Sequence, residues 1–184
     1  MQLIGKGLFT KAYRKDKTTV LLKSDDPIKE CMSMGWFPES RLFPKIVRTN
    51  CGEYEMKYYE KVSSLKKSLT ETHYEMYEEL RKVSKNIKRT SNIYDGLFNV
   101  RDGFKMIKDR RLKEIMIRAV EACSNYGSDV EFEISPRNVA VTKTGKLILL
   151  DCFFMKSKAL NIRKTKWLKN KLNKISEVIY FLNL

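Results

Sequence analysis

The segment Glu133-Ile-Ser-Pro-Arg-Asn138, then Val-Ala-Val, a Thr-Gly-Lys turn and Leu-Ile-Leu-Leu-Asp151, sets an acid, an amide and a second acid around two short apolar runs. Glu133 is of the type that takes up or orients the proton of a hydroxyl nucleophile. Asn138 stands just before a predicted strand and offers a carbonyl oxygen to a divalent cation. Asp151 ends the very apolar Leu147–Leu150 run, where a carboxylate must face a cleft, and holding Mg²⁺ would account for it. Pro136 stiffens the loop, and Arg137 or Lys143 adds positive charge. The plainer readings are a solvated acidic patch of Asp129, Glu131 and Glu133, and an aspartate in a strand-end turn.

Near the N-terminus, Gly5-Lys-Gly7-Leu-Phe9-Thr10-Lys-Ala12 lies between two predicted strands. Glycines let a backbone pass close to phosphates with its N–H groups turned toward the oxygens, and Phe9 at the tip would shield them from water. An ordinary glycine-containing hairpin has the same pattern. The loop is not a Walker A loop, because no Gly-Lys-Ser/Thr opens a helix. Lys23 ends the apolar run Val20-Leu-Leu22. A lysine there either meets an anion, a triphosphate being one candidate, or emerges into solvent. Glu30, on the short helix that follows, is predicted to pair with Lys23, with Glu39 as second choice.

These residues need elements to position them. The first 60 residues read as short strands with one small helix. Thr18 to Lys23 is β-branched and apolar. Asp25-Asp26-Pro27 opens a helix from about Ile28 to Met34 that stops at Gly35. Phe43–Val47 and Tyr54–Tyr58 form a strand pair around Asn50-Cys51-Gly52. From about Ser68 the period becomes helical, with Tyr77, Leu80, Ser84 and Ile87 on one face. A loop carrying Asp95-Gly96 and Asp102-Gly103 follows. A second helix is predicted from about Phe104 to Ser124, with Ile107, Leu112, Ile115, Ala119 and Cys123 inward. A last helix is predicted from about Ala159 to Leu182.

Composition bounds the function. The 184 residues form one domain or two small lobes sharing a cleft. Hydrophobic content of 42% suffices for a core. A net charge of +15 favours anionic partners: nucleic acid, nucleotide phosphates, an anionic membrane surface or an acidic protein. No apolar run is long enough to span a bilayer, and the start of the chain has no basic-then-apolar leader pattern. Both point to the cytoplasm. Four cysteines without a CxxC pair and a single His73 argue against a zinc site or a disulfide framework.

Taken together, Gly5-Lys-Gly7-Leu-Phe9, Val20-Leu-Leu-Lys23, Glu133–Asn138 and Asp151-Cys-Phe153 resemble the Gly-rich loop, strand lysine, catalytic loop and metal-binding Asp-Phe-Gly of the eukaryotic-type protein kinase superfamily. Within it the chain is most similar to the small serine/threonine kinases of podovirus-type bacteriophages. The resemblance implies a two-lobed α+β fold, with a small β-rich N-lobe over residues 1–60 and a mainly helical C-lobe over 61–184. It implies ATP held by Gly5, Gly7, Phe9, Thr10, Lys23 and Glu30, Mg²⁺ on Asn138 and Asp151, and catalysis by Glu133 and Lys23. The implied activity is phosphorylation of host-protein hydroxyls in the host cytoplasm, redirecting host metabolism. The chain departs from the family at Glu133, where Asp is usual, at Thr10 in place of a third Gly, and after Asp151, where no long activation segment precedes Lys156. A catalytically inactive scaffold that binds a host protein or nucleic acid is the alternative. Either way, the reading requires Lys23 and Asp151 to share one cavity.

From Lys156 to Ser176 there are eight Lys/Arg and no acid. Leu168, Leu172, Ile175, Ile179 and Leu182 form an apolar stripe at alternating spacings of four and three. This basic amphipathic helix either packs its stripe on the body with a solvated basic face, binds nucleic acid or an acidic protein, or lies on a membrane.

Overall fold

The structure is a computed structural model that describes residues 1–88 and 92–182, with the backbone alone for 93 and 171–182. The first 57 residues build a five-stranded antiparallel sheet from β1 (Gln2–Lys6), β2 (Thr10–Arg14), β3 (Thr19–Ser24), β4 (Ile46–Asn50) and β5 (Glu53–Lys57), in the order β1-β2-β3-β5-β4. Asp16 closes the β2–β3 turn by accepting the N–H groups of Thr18 and Thr19 at 2.7 and 2.9 Å. These bonds to its charged form hold its carboxyl below the usual range. Central β3 buries Val20, Leu21 and Leu22.

Helix α1 (Pro27–Ser33) leaves β3 directly. Asp26 caps it by accepting the Ile28 N–H at 3.0 Å, Pro27 occupies the first turn, and Gly35, at φ 73°, follows its end. The predicted helix lies here within a residue at each end. The predicted strand pair is β4 and β5, but β4 begins three residues later than the predicted Phe43–Val47 and takes in Asn50, leaving Cys51-Gly52 as the turn, with Gly52 at φ 68°.

The rest of the chain is mainly helical: α2 (Leu65–Ser68), α3 (Glu71–Asn86), α4 (Gly96–Lys105), α5 (Arg110–Cys123) and α6 (Lys156–Leu182), with short strands β6 (Val130–Phe132), β7 (Val139–Val141), β8 (Leu147–Leu149) and β9 (Phe153–Met155) between the last two. Tyr77, Leu80, Ser84 and Ile87 are buried, as the period predicts. The predicted loop at Asp95–Gly103 is instead helix α4. Gly96 serves packing there: a methyl group on it would lie 2.5 Å from the Val130 carbonyl oxygen. The helix predicted from Phe104 to Ser124 is broken after Lys105, and Asp109 starts α5 by accepting the Leu112 N–H at 2.6 Å.

A cluster of rings joins the two parts. Phe37 and Phe43, from the segment between α1 and β4, meet Phe153 of β9, which also packs on Phe132 and Phe104 at centroid distances of 5.1 and 6.1 Å. The Leu149 N–H donates to the Leu42 carbonyl at 2.7 Å, and the Cys31 thiol to that of Ala122. Strand β9 runs straight into α6, with no intervening segment. No described helix is long and apolar enough to cross a membrane.

Candidate active site

Period-two alternation in β3 turns Val20 and Leu22 to one face of the sheet and Lys23 to the other. The Val20–Leu22 face roofs a cavity of ≈ 980 Å³. Its lining includes Gly5, Gly7, Thr10, Ala12 and Met56 from the sheet, Asn138, Val139, Leu150 and Asp151 from the β7–β8 hairpin and its flanks, and Lys29 from α1. Tyr58–Ser63, Tyr74, Tyr77, Glu78 and Arg81 also line it. The volume is at the upper end of the ~300–1,000 Å³ of small-molecule and cofactor sites. Six cationic residues line it (Lys6, Lys29, Lys61, Lys66, Arg81, Arg137) against three carboxylates (Glu60, Glu78, Asp151), so it suits an anion.

Asp151 is held from several sides. Phe153, two residues on, is anchored in the ring cluster. The carbonyl of Asn138 accepts the N–H groups of Leu150 (2.9 Å) and Asp151 (3.3 Å) and the thiol of Cys152. Burial pushes that thiol far above its usual range. The Asn138 side-chain amide donates to the carbonyl of Glu133 at 3.3 Å, and the Glu133 N–H donates to that of Cys152 at 2.9 Å. Asn138 and Asp151 are thus fixed relative to each other at the cavity floor.

Lys29 meets Asp151 from α1. Ile28, Cys31 and Met32 bury one side of this helix, and Lys29 is carried in with them, its side chain 4% exposed. Its ammonium donates to the Leu150 carbonyl at 2.7 Å and to Asp151 Oδ1 at 2.9 Å. Burial pulls its pKa down, but Asp151 and then Asp26 outweigh it, so the net shift is upward and Lys29 stays charged. Asp26 is 2% exposed, and its Oδ2 has no hydrogen-bond partner among the described residues. Burial pushes its carboxyl up to about 6, against the pull of Lys29 and with the push of Asp151. Asp26, Lys29 and Asp151 form one charged cluster beneath the sheet.

The other expected site residues fall as follows. Gly5, Gly7 and Thr10 line the cavity. The Gly7 N–H donates to the Thr10 carbonyl at 2.8 Å, and the Thr10 and Ser24 hydroxyls are 2.6 Å apart. A methyl group on Gly7 would lie 3.9 Å from Asp151 Oδ2, so the turn sits directly over that carboxylate. Neither Gly5 nor Gly7 adopts a positive φ. Phe9 is half-buried outside the cavity lining, and its carbonyl accepts the Asp25 N–H at 3.4 Å. Glu133 is exposed and does not line the cavity.

Lys23 is placed away from all of these. Its side chain is 49% exposed and pairs with Glu53, its cross-strand neighbour, at 2.7 Å. It does not line the cavity that holds Asp151. Glu30 pairs with Arg48 at 2.9 Å instead of with Lys23. The expected Lys23–Glu30 pair and the shared Lys23–Asp151 cavity are therefore corrected: the lysine facing Asp151 is Lys29. Sequence reasoning missed Lys29 and Asp26. The available signal was a lysine beside the apolar positions Ile28, Cys31 and Met32 on a short capped helix, which must find an anion when buried.

Among the described residues no group of three or more His, Cys, Asp or Glu is placed to hold a metal by itself. A hard cation that keeps waters and takes one carboxylate plus phosphate oxygens is the kind Asn138 and Asp151 suit. No protein-family model matches this chain and no curated protein matches it, so its function is argued from these residues and their arrangement alone.

Proposed function

We propose that this chain is a minimal kinase-like phosphotransferase with a two-lobed fold, moving the ATP γ-phosphoryl group to a serine or threonine hydroxyl of a protein; the shared Lys23–Asp151 cavity that the sequence reading required is absent, so Lys29 of α1 carries the reading in that place. The observation that carries the reading is the buried Lys29 ammonium on Asp151 beneath the Gly5–Gly7 turn, with Asn138 beside it in one cationic cavity. ATP would supply the transferable group, and Mg²⁺ would neutralise its charge. Asn138 and Asp151 would hold the metal. Lys29 donates two of its three N–H bonds to the protein, leaving one for a phosphate oxygen. The Gly5–Gly7 turn, free of side chains, admits phosphates close to its backbone. Glu133, tied to Asn138 through its backbone carbonyl but outside the cavity lining, would orient the acceptor hydroxyl and take its proton. If the chain is phage-encoded, the acceptors are host proteins in the host cytoplasm.

A second reading, a catalytically inactive module that binds a host factor, is favoured by two observations. Glu133 stands outside the cavity lining, and Asp151 Oδ1 is already engaged by Lys29. Incubation with γ-labelled ATP, Mg²⁺ and mixed acceptor proteins separates the two. Transfer of label by the wild type, lost in Asp151→Ala and reduced at least tenfold in Glu133→Gln, supports the enzyme. No transfer, with nucleotide binding intact, supports the inactive module.

A further inference from the structure

Helix α6 is 27 residues long, and its first turn is fixed to the body. Buried Asp129 anchors that turn: its carbonyl accepts the Lys156 N–H at 2.9 Å and its Oδ2 accepts the Ser157 N–H at 2.7 Å, two of the donors a helix start leaves unpaired. Lys156 pairs with Glu131 at 3.2 Å, and Ala159 is 4% exposed. Farther along, every residue from Arg163 to Asn170 is exposed. That includes Leu168, the first member of the predicted apolar stripe, at 44%; the side chains of Leu172, Ile175, Ile179 and Leu182 lie outside the described residues. Packing of the stripe against the body, one of the sequence-based expectations, is not what Leu168 does.

Lys158 belongs to the anchored turn, yet its ammonium reaches across to the sheet and donates to the Asp25 carbonyl. The donor is charged, so this bond is stronger than one between neutral groups. Asp25 is the middle residue of Ser24-Asp25-Asp26, the junction that joins β3 to α1. The parts that form the phosphate end of the cavity hang on this junction. The Asp25 N–H donates to the Phe9 carbonyl at 3.4 Å, and the Ser24 hydroxyl lies 2.6 Å from that of Thr10, so the turn between β1 and β2 is tied to it. The Ser24 hydroxyl also accepts the Asp26 N–H at 3.2 Å. Asp26 in turn caps α1, whose Lys29 holds Asp151 at 2.9 Å. The Lys158 charge also acts on buried Asp26, pulling its carboxyl down against the push of burial.

We infer that Lys158 is a positioning residue: its bond to Asp25 holds the β3–α1 junction against the helical part and so sets the spacing of the β1–β2 turn, Lys29 and Asp151. Lys158 does not itself line the cavity, so it acts through the junction. This role rests on the reading of the cavity as a Mg-ATP site.

The test is calorimetric titration of Mg-ATP into the whole protein and three variants, with hydrogen exchange of the same proteins free of nucleotide. Lys158 is exposed, so its variants should fold. Lys158→Met should weaken Mg-ATP binding roughly tenfold, less than the ~10²-fold that a misplacement of about 1 Å can cost. Lys158→Arg keeps a charged donor at a site with room for it and should bind within about threefold of the wild type. Lys164→Met removes the same charge from an exposed position of the same helix and should bind as the wild type does. The amides of residues 24–28 should exchange roughly tenfold faster in Lys158→Met and at the wild-type rate in Lys164→Met. Equal affinity of the wild type and Lys158→Met overturns the positioning role and leaves the Mg-ATP reading standing. Equal weakening by Lys164→Met also overturns it, by revealing a general attraction of a basic protein for the nucleotide. So does Lys158→Arg binding as weakly as Lys158→Met. Unchanged exchange in Lys158→Met overturns it whether or not nucleotide binds. Absence of heat with the wild type sinks the cavity reading, and the positioning role with it.

Discussion

Lys23 and Lys29 carry the same ammonium and each meets a carboxylate within 3 Å, yet the fold gives them opposite circumstances. Lys23 lies on the outer face of the sheet, half exposed, opposite Glu53 in the β3–β5 register. Lys29 is buried on α1, where Asp26 and Asp151 share its charge at the wall of a cavity. Water solvates the first pair whether or not the two groups touch, so the contact contributes little. Around the second pair water is excluded, and removing one member strands the others. An ion pair marks a candidate site here only when burial and a cavity accompany it.

The sharpest way to break the comparison is Lys29→Met. Asp151 is 42% exposed and can be rehydrated, but buried Asp26 cannot. The variant should lose about 3 kcal/mol in urea unfolding at pH 8. The loss should be smaller at pH 5, because a protonated Asp26 needs no cation. Equal losses at the two pH values would show that Asp26 and Lys29 are not coupled.

Asp26→Asn comes next. The folded carboxyl sits at about 6 against an ordinary 3.8, so the native state binds the proton more tightly than the unfolded chain. Its contribution to stability is fully present below the ordinary value and is lost as pH rises through the folded one. That predicts a fall on the order of 2–3 kcal/mol from pH 4 to pH 7 in the wild type. Asparagine keeps the helix cap and removes the titration, so unfolding curves of the variant should be flat across this window. A slope like that of the wild type would reassign the titration to another group.

A smaller effect is expected from Gly7→Ala. The added methyl group meets the Thr10 carbonyl at 3.6 Å and Asp151 Oδ2 at 3.9 Å, ordinary contacts, so the melting temperature should not move. The same methyl group faces the space a phosphate would use, and affinity for Mg-ATP should fall roughly tenfold, about 1.4 kcal/mol. The smallest effect belongs to Lys23→Met, which should leave both the melting temperature and nucleotide affinity within measurement error.

Strands β1, β2, β3 and β5, the capped helix α1, the buried face of α3 and the hairpin before Asp151 were legible because each follows from a local period or cap, whereas the short β6 and β9 pair with each other across the fold and were not. Asn138 and Asp151 were legible as a pair for the same reason: the hairpin between them fixes their relation. Lys23 was misread because a lysine at the end of an apolar run looks alike on either face of a strand. The face depends on parity, and Val20 and Leu22 already claimed the inward one. Lys29 and Asp26 stayed hidden because their partner is distant in sequence, and only the packing of α1 against the β8–β9 connection brings Asp151 to them. Helix α4 was taken for a loop because Gly96 and Gly103 suggest turns. Gly96 is there for close approach of α4 to β6, which no local pattern announces.

The most direct test is isothermal titration calorimetry of Mg-ATP into the wild type, Asp151→Ala and Lys23→Met. The cavity account predicts that the wild type and Lys23→Met bind with the same affinity and that Asp151→Ala shows no binding. Absence of heat with the wild type at millimolar Mg-ATP, or binding lost in Lys23→Met and kept in Asp151→Ala, would contradict it.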